Sequence, residues 1–371
     1  MTANVPFLDL KSQYEELRVE LDEAIRRVSA SGWYLLGSEL RAFEEEFARY
    51  VGARHCVGVA NGLDALHLSF RALGIGAGDE VIVPSNTYVA TWLGVTHAGG
   101  VPVPVEPDPR TFNIDVGRIE SAITPRTKAI CPVHLYGQPA DMDALLALAR
   151  DRGLSVVDDA AQAHGAKYRG RRVGTGTDAT AWSFYPTKNL GAWGDAGAVT
   201  TDDAALADRL RVLRTYGSRL RYVNEIIGFN SRLDEVQAAI LRVKLARLDD
   251  WNGRRSRIAA AYSGAINQQD LVAPFVPDWA DPVWHLFVIR HGERDALQKA
   301  LASLGVETIV HYPVAPHMQR AYANLELPVN RYPIAKQMHD EVLSLPCSPH
   351  MTSEQQTHVI DGLLAAIRSL S

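Results

Sequence analysis

A lysine on a glycine-containing loop carries the clearest chemical signal in this sequence. The chain runs from a strand-like segment, Ala179 to Phe184, through Pro186 to Lys188, and three glycines follow. This composition favours a tight loop that presents Lys188 at the end of a strand. A lysine amine becomes a nucleophile that can form a Schiff base when burial or a nearby cation lowers its pKa. An ordinary surface lysine on a solvated loop is the alternative interpretation.

Two adjacent carboxylates follow another predicted strand. Asp158 and Asp159 come directly after an apolar run that begins at Leu154. A carboxylate at the end of a strand is most often a helix cap or a surface charge. Its role here therefore depends on what lies next to it.

A glycine opens one of the predicted helices. Gly62 and Leu63 follow the strand-like run His55–Ala60 and precede a helical pattern. Free backbone N–H groups and the positive end of the helix dipole allow such an N-terminus to hold a phosphate. A glycine between a strand and a helix is, however, commonly only a turn. Because residue 63 is a leucine, only backbone N–H groups can be assigned to an anion here.

Three segments together resemble the DegT/DnrJ/EryC1/StrS family of pyridoxal-phosphate sugar aminotransferases. Ser183 to Gly197 reads close to the family's S-F-x-x-T-K-N-L-G-x-x-G-D-G-G, and Asp158 to Gly165 is similar to E-D-A-A-x-A-H-G. Gly228 to Glu235 is similar to G-x-N-x-R-x-x-E. The resemblance extends from about Phe7 to the C-terminus. One departure is Asn61-Gly62-Leu63, where the family has Ser-Gly-Thr or a variant and therefore an additional hydroxyl group.

The resemblance implies pyridoxal 5'-phosphate as the cofactor, with pyridoxamine 5'-phosphate as an intermediate. Lys188 would hold the cofactor and move a proton between substrate and cofactor, and Asp159 would pair with the ring nitrogen. A buried carboxylate in that place keeps the nitrogen protonated, so that the ring can accept electrons. The other expected cofactor contacts are Tyr88 on the face of the ring, Gln162 near its phenolic oxygen, and Gly62, Leu63, Ser183 and Asn230 at the phosphate. For Tyr88, a place in the apolar core is the alternative.

Asn230 carries a further implication. Members of the family send this asparagine across a dimer interface to the partner's phosphate, so the resemblance implies a homodimer with shared active sites. The local pattern also fits a helix start, with Ser231 as N-cap and with Asp234 and Glu235 in the first turn. Both interpretations can hold together.

The resemblance also implies the substrates, a nucleotide-linked ketosugar and an amino donor that is expected to be glutamate. Tyr185 lies three residues before Lys188 and can face the reacting carbon. His311-Tyr312-Pro313 resembles the family's H-Y-P, which approaches the sugar. Arg219 and Arg221 lie in a loop that could meet a pyrophosphate, and solvated loop charge is the alternative for both.

Within the family, three segments resemble the branch that acts on dTDP-3-keto-6-deoxyhexoses. Their sequences lie at Ala60–Leu66, Asn86–Tyr88 and Val105–Asp108. Amination at carbon 3 is therefore expected. The alternatives are a carbon-4 aminotransferase acting on a UDP- or GDP-4-keto-6-deoxyhexose, a non-catalytic regulator that binds the cofactor, and an amino-acid aminotransferase or lyase. No arginine is recognisable in the sequence as a bidentate partner for an amino-acid carboxylate. A dehydrating branch has histidine at the lysine position, so Lys188 argues against that chemistry.

Strands that alternate with helical patterns must position these residues. The alternation predicts a mainly parallel sheet, in which ligands lie beyond the carboxyl ends of the strands. Strands are predicted at His55–Ala60, Glu80–Pro84, Val101–Val105, Lys128–Val133, Leu154–Asp158, Thr180–Phe184 and Ala196–Thr200. Helices are predicted at Gln13–Ser29, from Ser38, and from Leu233 to about Ala265.

The C-terminal part predicts a smaller α+β unit. Its predicted elements are a strand Val283–Ile289, a helix Glu293–Leu304, a strand Val306–Val310 and a helix Ser353–Leu370. The expected fold is α/β and aspartate-aminotransferase-like (fold type I). A large cofactor-binding domain would span residues 1–250 and a small domain residues 251–371, near the proline-rich segment Ala273–Pro282.

Composition limits the other function classes. A chain of 371 residues is long enough for two domains, and a net charge of -5 gives no support for nucleic-acid binding. The 3 cysteines and 12 histidines show no metal-binding spacing, so no metal is expected. The odd cysteine count fits a reducing cytoplasm. The N-terminus does not read as a signal peptide, and no apolar run approaches the roughly 18 residues of a membrane span, so no membrane association is expected.

Overall fold

The computed structural model describes residues 4–266 and 271–370 of the chain. The described strands are β1 (His55–Val59), β2 (Glu80–Pro84), β3 (Val101–Val105), β4 (Thr127–Ile130), β5 (Ser155–Asp159), β6 (Lys167–Tyr168), β7 (Arg171–Arg172), β8 (Ala179–Ser183), β9 (Gly197–Thr201), β10 (Ser218–Leu220), β11 (Val223–Asn224), β12 (Ala280–Asp281), β13 (Phe287–Arg290) and β14 (Val342–Leu345).

The described α-helices alternate with these strands in the first part of the chain. They are α1 (Leu10–Glu16), α2 (Arg18–Ser31), α3 (Ser38–Val51), α4 (Gly62–Ala72), α5 (Val89–Ala98), α6 (Val116–Ile119), α7 (Met142–Arg152), α8 (Ala204–Leu213), α9 (Glu235–Leu245), α10 (Leu248–Ala265), α11 (Arg294–Ser303), α12 (Pro333–Glu341) and α13 (Ser353–Leu370). Short 3₁₀ turns lie at Glu120–Ala122, Leu135–Gly137, Pro316–Met318, Arg320–Leu325 and Val329–Arg331.

The central sheet has the strand order β1-β9-β8-β5-β4-β2-β3. The pairs β8–β5, β5–β4, β4–β2 and β2–β3 are parallel, whereas β9 runs antiparallel to both β1 and β8. The expectation of a mainly parallel α/β sheet is therefore confirmed. The predicted strands of this sheet are present, some with shifted ends; the largest shift is in β4, which ends at Ile130 instead of Val133.

Helices cover both faces of this sheet. Val81 and Val83 of β2 pack into a buried cluster with residues of α4 and α5, while Ile82 between them packs into another cluster with residues of α7. All three side chains are fully buried. Burial on both faces explains why the parallel strands read as continuous apolar runs rather than as alternating patterns.

The C-terminal part forms its own core around the antiparallel pair β13–β14. Tyr262 of α10, Phe287 of β13, Leu297 of α11 and Leu363 of α13 belong to one buried cluster. Helix α10 crosses the predicted boundary at residues 250 and 251, and the division of the chain at that point stays a prediction.

Two predicted helices are interrupted. The expected helix Gln13–Ser29 breaks at Leu17, where φ is -119° and ψ is 18°, and the expected helix from Leu233 to Ala265 breaks between α9 and α10. Apolar periodicity could not reveal these breaks, because the residues on either side enter the same cores. Leu17 and Leu21 pack together with Trp251 and Ile240, for example.

The C-terminal strand predictions were partly wrong. The segment Val306–Val310 is not a regular strand and makes isolated bridges through Val306 and Ile309. The partner of β13 is instead β14, whose four buried residues follow directly after α12 and were not predicted. Such a pairing between residues more than 50 positions apart depends on tertiary packing, which a local pattern does not report.

Candidate active site

The loop that carries Lys188, residues 184–196, is a tightly folded connection between β8 and β9. The backbone N–H of Phe184 donates to the Ala196 carbonyl, and the N–H of Ala192 donates to the Phe184 carbonyl, each at 2.8 Å. At Gly191 an added Cβ would lie 2.3 Å from the Pro186 carbonyl oxygen, so only glycine fits there without a shift of the backbone. The loop is thus held by its own backbone.

The Lys188 side chain is partly buried near the carboxyl end of β8. Burial lowers the pKa of its amine from 10.5 to about 8, and the nearby carboxylate of Asp159 opposes this shift. At neutral pH a useful fraction of the amine is therefore unprotonated. The expected alternative, a fully solvated surface lysine, does not describe this side chain.

Asp159 ends the neighbouring parallel strand β5 and is paired in register with Ala181 of β8. Its carboxylate is buried, with Oδ2 accepting from Thr91 Oγ1 at 2.7 Å and Oδ1 accepting from the N–H of Ala161 at 3.2 Å. Burial raises the pKa of this carboxyl, while the bonds from Thr91 and Ala161 and the charge of Lys188 oppose the rise. The side chain is neither a helix cap nor a surface charge.

Gln162 is held in one orientation by two contacts. Its Oε1 accepts from the N–H of Tyr136 at 2.5 Å, and its Nε2 donates to the hydroxyl of Tyr312 at 3.0 Å. The Tyr312 ring in turn lies 4.9 Å from the ring of Tyr88, with 35° between the planes. Tyr88 is 51% exposed, so it lies at the surface of the site and not in the core.

Gly62 and Ser183 meet at the N-terminus of α4. An added Cβ at Gly62 would lie 2.5 Å from the Ser183 Cβ, and one at Gly197 would lie 2.3 Å from the carbonyl oxygen of Asn61. Asn61 caps the helix by accepting from the N–H of Asp64 at 2.8 Å. The Ser183 hydroxyl therefore lies close to the backbone N–H groups at the start of α4. A side chain at residue 62 would not fit between them.

The sequence matches a known protein family over nearly its whole length. The DegT/DnrJ/EryC1/StrS aminotransferase family matches residues 15–364. The chain belongs to this family. The resemblance that the three segments indicated is confirmed, as is the expected α/β aminotransferase fold.

Two relatives are each 56% identical over 363 residues, covering 98% of this chain. One is the dTDP-3-amino-3,4,6-trideoxy-alpha-D-glucose transaminase of Streptomyces venezuelae, of which 96% is covered, and the other is the erythromycin biosynthesis sensory transduction protein EryC1 of Saccharopolyspora erythraea, of which 99% is covered. The crystal structure of S. venezuelae DesV in complex with a ketimine intermediate is 55% identical. It superposes with a TM-score of 0.97 over 100% of this chain and 99% of that one.

The residues at the strand ends fit pyridoxal phosphate, the cofactor expected for this family. The Lys188 amine, with its lowered pKa, can react with the cofactor's aldehyde, and the buried Asp159 carboxylate can pair with its ring nitrogen. Where Gly62 approaches Ser183, backbone N–H groups and a hydroxyl can donate to its phosphate. No cluster of three or more His, Cys, Asp and Glu side chains suited to a metal ion lies within residues 4–266 and 271–370.

Not all predicted site residues lie together in one chain. Asn230 is exposed, and Arg219 and Arg221 lie on the exposed hairpin of β10 and β11. Arg219 makes ion pairs with Asp208 and Glu225, whereas the Arg221 guanidinium lies over the Tyr222 ring at 4.8 Å. None of these three contacts involves the Lys188 loop. Tyr185, next to the loop's start, is 51% exposed.

The helix-start interpretation of the segment after Asn230 was partly wrong: Glu235 lies in the first turn of α9 as expected, but the N-cap residue is Asp234 and not Ser231. Helix α9 begins at Glu235, and the Ser231 hydroxyl instead accepts from the N–H of Ala60 at 3.1 Å. The buried Glu235 carboxylate accepts from the N–H groups of Gly37, Glu39 and Leu40, so it caps the start of α3. This acidic residue of the family motif therefore connects the first turn of α9 to the start of α3.

Three histidines have their pKa values lowered by burial and in part by the charge of Lys188. His311 was expected near the sugar, whereas His164 and His285 were not assigned from the sequence. His285 is buried, and its pKa is held well below the usual range by burial and by the charge of Lys188. Burial lowers the pKa of His164 to about 3 and that of His311 to about 4, again with a contribution from Lys188. These three imidazoles remain neutral beside the amine. The place of Thr91 in the site could have been inferred, because Thr91 lies one helical turn after Tyr88. His285 lies too far from the other site residues in sequence for such an inference.

Proposed function

We propose that this protein is a pyridoxal-phosphate-dependent aminotransferase that transfers an amino group from glutamate to a nucleotide-linked ketosugar. The observation that supports this most strongly is the shared environment of Lys188 and Asp159, each of which shifts the pKa of the other. When bound, the cofactor supplies an aldehyde that takes up the amino group and a ring that accepts electrons from the reacting carbon.

Lys188 is proposed as the general acid and base of both half-reactions. A pKa of about 8 places the amine close to the working pH, where it can both accept and return a proton. Asp159 would hold the proton on the ring nitrogen, and its bonds from Thr91 and Ala161 keep its carboxylate oriented. Gln162 Nε2 donates one N–H to Tyr312, and its second N–H would be available for an oxygen of the cofactor ring.

Carbon 3 of a dTDP-3-keto-6-deoxyhexose is the proposed amination site. The support is the S. venezuelae transaminase, whose name denotes a 3-amino sugar and which is 56% identical to this chain. Tyr185, His311 and Tyr312 would approach the sugar, and Arg219 and Arg221 its pyrophosphate. Amination at carbon 4 of a UDP- or GDP-linked sugar is the alternative within the same reaction class.

A homodimer with shared active sites is proposed as the working unit. Asn230, Arg219 and Arg221 are exposed in one chain, and they lie near a group of exposed apolar side chains: Leu220 at 67%, Tyr222 at 84% and Ile227 at 85% exposure. A second copy that covers this surface would remove the apolar area from water and bring Asn230 to the partner's phosphate site. The three cysteines are free and buried, in keeping with the proposed cytoplasmic location. Within the described part of the chain, no helix is long and apolar enough to cross a membrane.

A panel of ketosugars tests the proposal. The protein with pyridoxal phosphate, L-glutamate and 3-keto or 4-keto nucleotide sugars should release 2-oxoglutarate and an aminosugar, fastest with the dTDP-3-keto substrate. Lys188→Ala should bind the cofactor without turnover. Lys336→Ala, at a partly exposed lysine that pairs with Asp340, should behave as the unchanged protein. No 2-oxoglutarate with any sugar would refute the aminotransferase proposal.

A regulator that binds the cofactor without catalysis is the second candidate, favoured by the name of the S. erythraea relative. The same panel separates the two. Cofactor binding with an unreactive Lys188 amine would support the regulator, whereas multiple turnovers would exclude a purely non-catalytic role. Without any ketosugar, an amino-acid aminotransferase would consume many equivalents of amino acid when a 2-oxo acid accepts the amino group, and a lyase would do so without an acceptor.

A further inference from the structure

A cavity of about 280 Å³ opens beside the Lys188 loop. Its outer lining includes the exposed residues Leu10, Glu307 and Ile309, and its deeper lining includes the buried residues Arg255 and His285. The volume is near the lower end of the range for small-molecule pockets, about 300–1,000 Å³, which suits a ligand as small as an amino acid.

Arg255, from helix α10, is a buried cation that lacks an anionic partner. It is 4% exposed, and no carboxylate oxygen lies within 4.0 Å of its guanidinium in the part of the chain that the structure describes. Its Nη1 donates to the carbonyls of Cys347 and Trp284, but its buried Nε has no hydrogen-bond partner among the described residues. A charge that is buried in this way is costly unless something pairs with it.

The cavity borders the loop that carries the reacting amine, although the Lys188 side chain itself is not part of the lining. Thr187, which precedes Lys188, is part of its lining, as are His285 and His311. The pKa values of both histidines are lowered by burial and by the charge of Lys188, so both rings are neutral. The cation on the floor of the cavity is therefore Arg255.

The hydrogen bonds of His285 fix its tautomer. Asn189 Nδ2 donates to Asn252 Oδ1 and to the Val283 carbonyl, which leaves Asn189 Oδ1 as the acceptor for His285 Nδ1 at 3.2 Å. Nδ1 thus carries the proton and Nε2 keeps a lone pair. Because the His285 ring is neutral, it adds no second positive charge to the cavity, and Arg255 is the group there that can attract a carboxylate.

We propose that Arg255 binds a carboxylate of the amino-acid donor in this cavity, during the half-reaction that precedes arrival of the sugar. Guanidinium groups bind carboxylates strongly and with defined geometry. The inference rests on the proposed function, since it assigns the donor site of that same enzyme. Glu307 at the mouth is exposed and accepts from the N–H of Phe7 at 3.2 Å, so its charge is largely solvated.

Separate measurement of the two half-reactions tests this assignment. The cofactor's absorbance is followed in single turnovers, first with L-glutamate and then, from the amino form of the cofactor, with the nucleotide ketosugar. Arg255→Met should raise the apparent Kd for L-glutamate about 10- to 100-fold, because a hydrogen bond to a charged group is lost. The sugar half-reaction should keep its rate and its Kd. The apparent Kd of Arg255→Lys for L-glutamate should lie between those of Arg255→Met and the unchanged protein.

Arg254→Met is the matched control. Arg254 is the preceding residue of α10, but its guanidinium pairs at the surface with Glu16 and Asp250. This variant should bind glutamate as the unchanged protein does. Glutarate, which has carboxylates but no amine, should compete with glutamate and lose affinity in Arg255→Lys.

The possible outcomes separate the donor site from the proposed function. A selective loss of glutamate and glutarate affinity supports the donor site. Unchanged glutamate binding in the Arg255 variants, or an equal loss in both half-reactions, overturns it while the aminotransferase activity stands. Should Arg255→Met fail to fold, Arg255→Lys and the glutarate competition give the same decision. If the unchanged protein never reacts with glutamate, the proposed function fails and the donor site fails with it.

Discussion

Asp159 ends strand β5, and Lys188 lies on the loop that follows the neighbouring parallel strand β8. The charge of each residue lowers the free-energy cost of charging the other. Burial lowers the pKa of the Lys188 amine to about 8, and the Asp159 carboxylate keeps it from falling further. Burial raises the pKa of Asp159, and the Lys188 charge opposes that rise. A nucleophilic amine and an acid therefore share one electrostatic environment.

Removal of the Asp159 charge should make the Lys188 ammonium less stable. In Asp159→Asn, the pKa of Lys188 should fall below about 8, because only burial then acts on it. The pH dependence of Lys188 labelling by trinitrobenzenesulfonate in the cofactor-free protein, read by peptide mass spectrometry, measures this shift. Asp158→Asn is the control, since Asp158 lies against His134 Nε2 at 3.6 Å. Equal midpoints in Asp159→Asn and the unchanged protein would contradict the proposed proximity.

Thr91 should orient the Asp159 carboxylate. Thr91→Val removes the 2.7 Å hydrogen bond to Oδ2, so the pKa of Asp159 should rise further and turnover should fall about tenfold or more, as expected when a hydrogen bond to a charged group is lost. Thr96→Val on the same helix removes a hydroxyl that donates to the Trp92 carbonyl and should leave kcat unchanged. Similar kcat values for the two variants would show that the Thr91 bond does not matter.

Gly62 should tolerate no side chain. Gly62→Ala places a Cβ 2.5 Å from the Ser183 Cβ, so we expect a loss of about 1–3 kcal/mol in the free energy of unfolding and weaker binding of pyridoxal phosphate. Gly264→Ala in α10 brings the new Cβ within 4 Å of no atom beyond the neighbouring backbone of its own helix, and should instead stabilise the protein by about 0.5–1 kcal/mol. Chemical denaturation of both variants checks the contrast, and equal effects would contradict it.

Lys244 should make stability depend on pH in the alkaline range. Its ammonium is buried, donates to Gln13 Oε1 and to the Gly191 carbonyl of the Lys188 loop, and has its pKa lowered by burial from 10.5 to about 8. Between these values the unfolded chain binds more protons than the folded one, so the contribution of Lys244 to stability rises with pH. From pH 8 to 10.5 the unchanged protein should gain up to about 3 kcal/mol relative to Lys244→Met. Parallel pH profiles for the two proteins would contradict this.

The part of the site that the sequence could predict lies at strand ends. Asp159, Lys188, Gly62 and Ser183 follow strands of one sheet, and the carboxyl ends of parallel strands meet at one edge. Their approximate placement therefore follows from the order of the strands and the family pattern.

The remainder depends on how distant segments pack. Arg255 and His285 come from the C-terminal half, and Tyr312 reaches Gln162 across 150 positions of sequence. No local pattern reports such contacts, just as none reported the β13–β14 pairing or the role of Glu235 as a cap for α3. The breaks at Leu17 and between α9 and α10 were missed because apolar periodicity continues through them.

The covalent attachment of the cofactor to Lys188 is the most direct test of the whole account. The purified protein is saturated with pyridoxal phosphate, reduced with borohydride, digested and examined by mass spectrometry. A single phosphopyridoxyl group on the peptide that contains Lys188, absent from Lys188→Ala, is the predicted result. Attachment at another lysine, or full turnover by Lys188→Ala, would contradict it.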